Sequence, residues 1–233
     1  MSRAVKELIL GSIRLRIIQV LDDNFIYLLD DGEKAILIDA GEAETVLQIV
    51  QSESLSLLQV FITHDHKDHT EGCRALQEEL GVLARSPSVI EREEEWLGYR
   101  CNVVSTPGHM KVCKSFYFPE LSVVFTGDTL INGACGRLLG GTAEQLYHSL
   151  EWVASLPSET RIFGGHDYLL ENLRFATAEA FSVSAVERRR QQYKSDPTKA
   201  LFATVAEELV TNPFLSCTSV VEFAALRMRK DCF

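Results

Sequence analysis

Strand-like apolar segments and amphipathic helical segments alternate along the first 170 residues. Segments 13–20, 25–29 and 35–39 have the composition of strands, and the Asp-Asp-Gly turn between the last two predicts a hairpin. Further strands are predicted to end at residue 63 and to span 116–118, 123–125 and 161–163, with helices at 42–52, 68–80 and 142–156. Because the two kinds of segment interleave, the pattern predicts an α/β fold in which helices cover sheets.

After residue 171 the pattern changes to helical segments alone. Three segments have helical spacing: 172–194, 201–211 and 219–229. The dipeptides Asp196-Pro197 and Asn212-Pro213 separate them, because a proline and the residue before it both disfavour helix. We therefore predict an α/β domain over residues 1–171 and a small all-helical C-terminal domain over residues 172–233.

The sequence His-Asp-His-Lys-Asp-His at 64–69 is the densest group of candidate functional residues in the chain. It directly follows the apolar run 59–63, which is predicted to be a buried strand. Imidazoles at i, i+2 and i+5 with a carboxylate at i+4 leave the end of that strand together and can converge on one point. Such a group is typical of a site for a borderline metal such as zinc. A polar loop that is rich in histidine by chance is the alternative.

Three further segments each place one ligand-type residue after an apolar run and a glycine. They deliver His109, Asp128 and His166. Glycine at such positions lets the backbone approach closely. Together with segment 64–69 they put five of the six histidines at strand ends, and the sixth, His148, lies in a predicted amphipathic helix. We predict that His148 is structural.

The number of candidate ligands indicates two metal ions, because it exceeds what one four-coordinate ion can use. The seven candidates divide into a group for each ion: His64, His66 and His109 for one, Asp68, His69 and His166 for the other, with Asp128 bridging. Each ion keeps an open position for water, as a catalytic site requires. Two ions about 4 Å apart can lower the pKa of a shared water towards 7 and so provide a nucleophile at neutral pH.

The bulk composition limits the partners. The chain has 233 residues, 46% of them hydrophobic, and a formal net charge of −10. Nucleic acid and anionic membranes both need a basic footprint, so we expect neither as a partner. We predict no signal peptide and no membrane span, because the first residues are partly charged and no apolar run reaches about 20 residues. The six cysteines form no C-x-x-C pair, so we predict reduced thiols in a cytoplasmic protein, and we expect a monomer.

The His-x-His-x-Asp-His motif at 64–69 resembles that of the metallo-β-lactamase superfamily. Within it the chain is most similar to glyoxalase II, the hydroxyacylglutathione hydrolases, from about residue 21 to the C-terminus. The motifs that carry this similarity lie at 125–130, 133–137, 140–142, 165–168, 171–176 and 212–215. The resemblance implies an αββα sandwich with the metals at one edge, followed by a helical domain that helps to form a glutathione site.

The resemblance also implies an activity, the hydrolysis of S-(2-hydroxyacyl)glutathione such as S-D-lactoylglutathione. Asp68 and Asp128 would be the catalytic carboxylates, the first orienting the hydroxide and the second bridging two divalent ions. Family contacts to glutathione carry over to four matching positions: Arg137, Tyr168, Arg227 and Lys230. The leaving thiol, with a pKa of about 8.5, can depart as a thiolate without a general acid. We assign Asp167 no catalytic role.

Three positions depart from the usual family pattern and make the specificity for glutathione less secure. Arg137 stands where lysine is usual, Leu139 where an aromatic residue is usual, and Met110 where threonine is usual. Arg227 and Lys230 have an alternative interpretation as ordinary solvated charges on a terminal helix.

Two other functions fit the sequence less well. A persulfide dioxygenase of the same superfamily would use one iron and would lack the long helical tail. A non-catalytic ligand-binding or regulatory protein on the same scaffold would be expected to have lost some of the ligands. Zinc is the metal we expect, although imidazole and carboxylate ligands suit iron and manganese as well.

Overall fold

The computed structural model describes residues 5–88 and 92–233, and within them the chain forms two compact units. The first unit consists of residues up to Val103 together with Phe118–Leu121, and the second of Val104–Tyr117 together with Ser122–Phe233. The strands are β1 (Val5–Leu10), β2 (Ile13–Val20), β3 (Asn24–Asp30), β4 (Lys34–Ile38), β5 (Ser56–Phe61), β6 (Ala84–Arg85), β7 (Arg92–Trp96), β8 (Tyr99–Ser105), β9 (Lys114–Phe118), β10 (Val123–Gly127), β11 (Leu130–Ile131), β12 (Ala134–Cys135) and β13 (Arg161–Gly164). The α-helices are α1 (Glu44–Ser52), α2 (Lys67–Thr70), α3 (Cys73–Leu80), α4 (Ala143–Ala154), α5 (Leu169–Ala178), α6 (Val183–Ser195), α7 (Pro197–Leu201), α8 (Val205–Thr211) and α9 (Val220–Asp231).

Most of the first unit is a six-stranded sheet in the order β1-β2-β3-β4-β5-β6. Strands β1 to β4 pair antiparallel, whereas β4, β5 and β6 pair in parallel. Parallel neighbours need a crossover, which α1 supplies between β4 and β5, and α2 with α3 supply between β5 and β6. Because β4 and β5 run in the same direction, Asp39 and segment 64–69 leave the sheet at the same edge.

The second unit is richer in helix. Its strands β10 and β13 pair in parallel, and β11 with β12 forms a short hairpin. The second sheet of the chain has the order β13-β10-β9-β8-β7. Phe175, Phe214 and Phe223 of the C-terminal helices belong to the same buried apolar cluster as Val124 of β10 and Leu150 of α4. The predicted α/β fold with a helical C-terminal part is confirmed.

The helix predicted over 68–80 is divided into α2 and α3. The break lies at Gly72, whose amide donates to Ala40 O at 2.7 Å. A Cβ at Gly72 would lie 2.7–2.8 Å from backbone atoms of residues 40–43. The close approach of these two backbone segments therefore ends the first helical turn.

The helix predicted over 172–194 is likewise divided into α5 and α6. The helix predicted over 201–211 is also divided, because its first residue ends α7 and most of the rest forms α8. Ala180 and Ser182 between α5 and α6 have positive φ, which no helical pattern reveals. The predicted domain boundary at 171/172 falls within α5 and stays a prediction.

Strands β1 and β7 were not expected, because charged residues interrupt their apolar pattern. Both lie at sheet edges, where charge protects against strand pairing with other chains.

Two further expectations concern the chain as a whole. Across the described residues, the structure contains no helix long and apolar enough to cross a membrane. The six cysteines all lie among the described residues and form no disulfide there, and Cys101, Cys113 and Cys135 are buried.

Candidate metal centre

Segment 64–69 follows β5 and extends into α2, and its own backbone fixes its shape. His66 is the residue before α2, and its carbonyl accepts from His69 N and Thr70 Oγ1, each at 3.0 Å. The nitrogens His64 Nε2 and His66 Nδ1 lie 3.0 Å apart. His69 Nε2 lies 3.7 Å from Asp68 Oδ2. The four ligand-type residues of the first unit thus form two pairs.

Asp39, at the end of β4, organises two of these histidines. Its carboxylate accepts from Thr63 N and Thr63 Oγ1, each at 2.8 Å, and lies 2.8 Å from His69 Nδ1. Thr63 Oγ1 in turn lies 3.1 Å from His64 Nδ1. Asp39 is 2% exposed, so its carboxylate is committed to these neighbours. A carboxylate behind a ligating histidine fixes the ring orientation and raises its basicity.

Asp68 is positioned by two other parts of the first unit. Asn24 Nδ2 donates to Asp68 Oδ2 at 2.9 Å. Gly41 packs against the Asp68 carbonyl so closely that a Cβ there would overlap the oxygen. Side chain and backbone of Asp68 are therefore both held.

In the second unit, two histidines approach one carboxylate. His109 Nε2 lies 3.5 Å and His166 Nε2 lies 3.3 Å from Asp128 Oδ2. All three residues are buried. Asp128 follows β10 and His166 follows β13, which are parallel neighbours, so both side chains leave the same sheet edge.

The loop after β12 supports this group from behind. His109 Nδ1 lies 2.8 Å from Arg137 O, and Gly136 N donates to Asp128 O at 3.0 Å. A Cβ at Gly136 would overlap Asp128 O and crowd the His109 ring. This explains the Cys-Gly-Arg sequence, since only glycine fits between the two ligands.

The donor set fits metal binding. Nδ1 of His64, His69 and His109 each has a hydrogen-bond partner, an arrangement that directs Nε2 to the ligand role. The described His and Asp side chains are compatible with a dinuclear site. They do not distinguish between zinc, iron and manganese.

The four residues expected to contact glutathione lie in the second unit. The Arg137 side chain is 70% exposed, and the Tyr168 ring stacks on His166 at a centroid distance of 4.8 Å. Arg227 is buried, with Nη1 donating to Cys135 O at 2.8 Å and Nη2 lying 3.0 Å from Asp231 Oδ1. Lys230 is also buried, and its Nζ lies 2.7 Å from Glu171 Oε1. The interpretation of Arg227 and Lys230 as solvated charges is therefore wrong, while their contact with a substrate stays a prediction.

Two polar residues near the ligands have other roles. Asp167 accepts a hydrogen bond from Tyr193 Oη at 2.8 Å. The pKa of Tyr193 is raised to about 12, mainly because the phenol is partly buried and in second place because of this hydrogen bond. Asp167 therefore anchors α6. His148 is exposed on α4 and lies 2.7 Å from Glu151 Oε2.

Sequence analysis missed Asp39 and Asn24 as supporting residues. Asp39 follows the apolar segment 35–38 directly, so it has the same pattern of apolar strand and polar end as the ligands. That signal could have identified it. Asn24 begins a strand instead of ending one, and no local pattern distinguishes it.

Comparisons with known proteins identify the family of the chain. The sequence profile of the metallo-beta-lactamase superfamily matches residues 21–104 and 102–166. A hydroxyacylglutathione hydrolase from Chromohalobacter salexigens is 38% identical over 217 residues, covering 85% of this chain and 84% of its own length. One from Brucella ovis is 35% identical, covering 94% of this chain and 99% of its own length.

Solved structures give the same result for the fold. ETHE1 from Myxococcus xanthus has a TM-score of 0.64 at 25% identity, covering 97% of this chain and 90% of its own. TTHA1623, solved in a di-iron-bound form, has a TM-score of 0.60 at 27% identity, covering 82% of this chain and 95% of its own. The chain therefore belongs to the metallo-β-lactamase superfamily and, within it, to the hydroxyacylglutathione hydrolase family.

Proposed function

We propose that the protein is a metal-dependent thioester hydrolase that cleaves S-(2-hydroxyacyl)glutathione, such as S-D-lactoylglutathione, into glutathione and a 2-hydroxy acid. Relatives named hydroxyacylglutathione hydrolase over most of the chain support this substrate class. The observation that carries the proposal is the approach of two buried imidazoles to one carboxylate oxygen, Asp128 Oδ2. A residue so placed suits a bridging ligand.

Two divalent ions are the proposed cofactors, zinc being the metal we expect. As predicted from the sequence, we assign His64, His66 and His109 to one ion and Asp68, His69 and His166 to the other, with Asp128 bridging. A structural neighbour that binds two irons supports a two-ion site. When bound, the ions would supply a water nucleophile at neutral pH and positive charge for the developing oxyanion.

The residues of the chain prepare this chemistry. Asp39 and the Arg137 carbonyl each accept a hydrogen bond from Nδ1 of a histidine, which fixes the orientation of the ring and leaves Nε2 for the ligand role. Asn24 fixes the Asp68 carboxylate, which we assign to orienting the nucleophile. No residue is needed to protonate the leaving group, because a thiol with a pKa of about 8.5 leaves as a thiolate.

Substrate binding is assigned to the helical tail, residues 172–233, together with Arg137 and Tyr168. Arg227 and Lys230 supply buried positive charge, and Asp231 and Glu171 are their counter-ions. We expect the protein to act as a cytoplasmic monomer with neither nucleic acid nor membrane as a partner.

The deciding experiment combines metal analysis with a panel of lactoyl thioesters of glutathione, coenzyme A and N-acetylcysteamine. We expect about two ions per chain and a clear preference for the glutathione ester. Full metal loading without turnover of any acyl-glutathione would overturn the substrate assignment. One iron per chain with oxygen consumption on glutathione persulfide would replace hydrolysis by dioxygenase chemistry.

The role of the tail is tested by Arg227→Ala, with Arg229→Ala as its control. Arg229 lies two residues along α9 and is half exposed, paired with Glu179. Arg227→Ala should raise KM for glutathione esters more than it lowers kcat, and Arg229→Ala should change neither. A fall in kcat with KM unchanged would contradict a substrate contact of Arg227 and would leave only its bond to Cys135 O.

A further inference from the structure

Residues 131–137, here called the positioning segment, run from the end of β11 through β12 to Arg137. Side chains of the helical tail bind the main chain of its first five residues. Asn172 Nδ2 donates to the carbonyls of residues 131 and 132 at 3.3 and 3.0 Å. Gly133 N donates to both carboxylate oxygens of Glu208 at 3.0 Å.

The next two residues are held in the same way. Asn212 Nδ2 donates to Ala134 O at 3.0 Å, and Arg227 Nη1 donates to Cys135 O at 2.8 Å. The four side chains that hold the segment are nearly inaccessible to solvent: Asn172 is 3% exposed, Glu208 1%, Asn212 0% and Arg227 3%. Buried polar groups that lose their partners are costly, so this set of bonds fixes one conformation of the segment.

Glu208 is the charged centre of this support. Its Oε1 lies 2.6 Å from Nη2 of Arg189, which is 4% exposed, and its Oε2 accepts from Asn212 Nδ2 at 2.9 Å. A buried carboxylate is stable only with such compensation. The Arg189 guanidinium also donates to Ala200 O and Thr211 Oγ1, which connects three helices of the tail to one point on the segment.

On its other side the segment contacts every ligand-type residue of the second unit. Asn132 Nδ2 donates to His166 O at 2.9 Å. Gly136 N donates to Asp128 O, and Arg137 O lies 2.8 Å from His109 Nδ1. The tail therefore holds residues 131–135 of the segment, and residues 132, 136 and 137 of the same segment hold the three ligands.

We propose that the helical tail positions the metal ligands His109, Asp128 and His166 through residues 131–137, with Asn132 and Glu208 as positioning residues. This rests on the proposed function, because it takes these three residues as ligands. Partners of metal ligands typically change metal affinity about 10- to 100-fold when they are removed. By linkage, metal binding then stabilises the tail as well as the site.

The test measures the zinc dissociation constants of Asn132→Ala and Glu208→Gln by competition with a chromophoric chelator. Two control residues belong to the helix that carries Glu208 or to its N-cap. Glu207→Gln keeps the capping box with Thr204, since glutamine also serves there, and Thr204→Ala weakens α8 without touching the segment. We expect about 10-fold or weaker zinc binding in the two test variants and unchanged binding in both controls.

Unchanged zinc affinity in folded Asn132→Ala and Glu208→Gln would overturn the proposal. An equal loss in Thr204→Ala would also overturn it, because general destabilisation would then be sufficient. If Glu208→Gln does not fold, Arg189→Met with Glu208→Gln removes both buried charges and gives the same readout. A wild-type protein that binds no zinc, iron or manganese would overturn the proposed function itself.

Discussion

In the first unit the ligand-type residues lie within six consecutive positions, whereas in the second they are spread from His109 to His166. Segment 64–69 takes its shape from its own helical turn and from Asp39 on the neighbouring strand. The second set depends on residues 131–137 and on helices that follow all three ligands in the chain. A compact motif is thus held by nearby backbone, and a dispersed one needs a support of its own.

The largest effect on activity is expected at Asp128, which His109 and His166 both approach in the second unit. Asp128→Ala should lower hydrolysis about 1,000-fold or more, because losing the ions removes several kcal/mol of charge stabilisation. Metal analysis and initial rates check this together. The control is His148→Gln, which alters an exposed histidine outside the site and should leave both values unchanged. Normal activity in Asp128→Ala would refute the bridging role.

Replacing Asp39, which supports the candidate ligands of the first unit, should have a smaller effect. Asp39→Asn replaces the acceptor for His69 Nδ1 with an amide, and we expect zinc affinity to fall about 10- to 100-fold. Chelator competition measures it. If Asp39→Asn loses less affinity than Asn132→Ala, the first set is even more self-sufficient than the comparison suggests; no loss at all would remove Asp39 from the site.

In both units a glycine packs against a ligand carbonyl, Gly41 against Asp68 and Gly136 against Asp128. Alanine at either position should cost about 1–3 kcal/mol of unfolding free energy through overpacking and should also weaken metal binding. Gly81→Ala is the control, because φ is +71° there and nothing lies within 4 Å of a Cβ. It should lose stability in urea unfolding but keep its metal affinity. Equal metal affinity in all three variants would contradict the steric argument.

The smallest effect, on stability, is expected at the partly exposed Glu171. The Lys230 hydrogen bond lowers the pKa of Glu171, so the stabilisation is fully present above the unfolded pKa of about 4.3 and is lost as pH falls through the lower folded value. The Glu171 side chain is 61% exposed, and screening limits its contribution to at most about 1 kcal/mol. Glu171→Gln should therefore be less stable than wild type at pH 6 and equal to it well below pH 4. A difference that persists at low pH would mean that the carboxylate charge is not responsible.

The strands and helices that depend on a local pattern of apolar residues could be predicted from the sequence. Strand β2 has the predicted bounds, and the bounds of β3 and β4 each differ from the predicted ones by one residue at either end. The breaks in the predicted helices depend on long-range approach at Gly72 and on positive φ at Ala180, which periodicity does not reveal.

The same division applies to the site. Residues 64–69 could be recognised because ligand types cluster there. Asn132 and Glu208 could not, because each is an ordinary polar residue until the fold brings a backbone group to it.

Cys135 lies in the positioning segment, and burial, the largest cause, raises its thiol pKa to about 12. The thiol therefore stays protonated at neutral pH. Thioesters transfer their acyl groups to thiolates, which are the nucleophilic form of cysteine. The buried Cys135 thiol, in the segment that holds three of the candidate ligands, is therefore a poor acceptor for an activated acyl group.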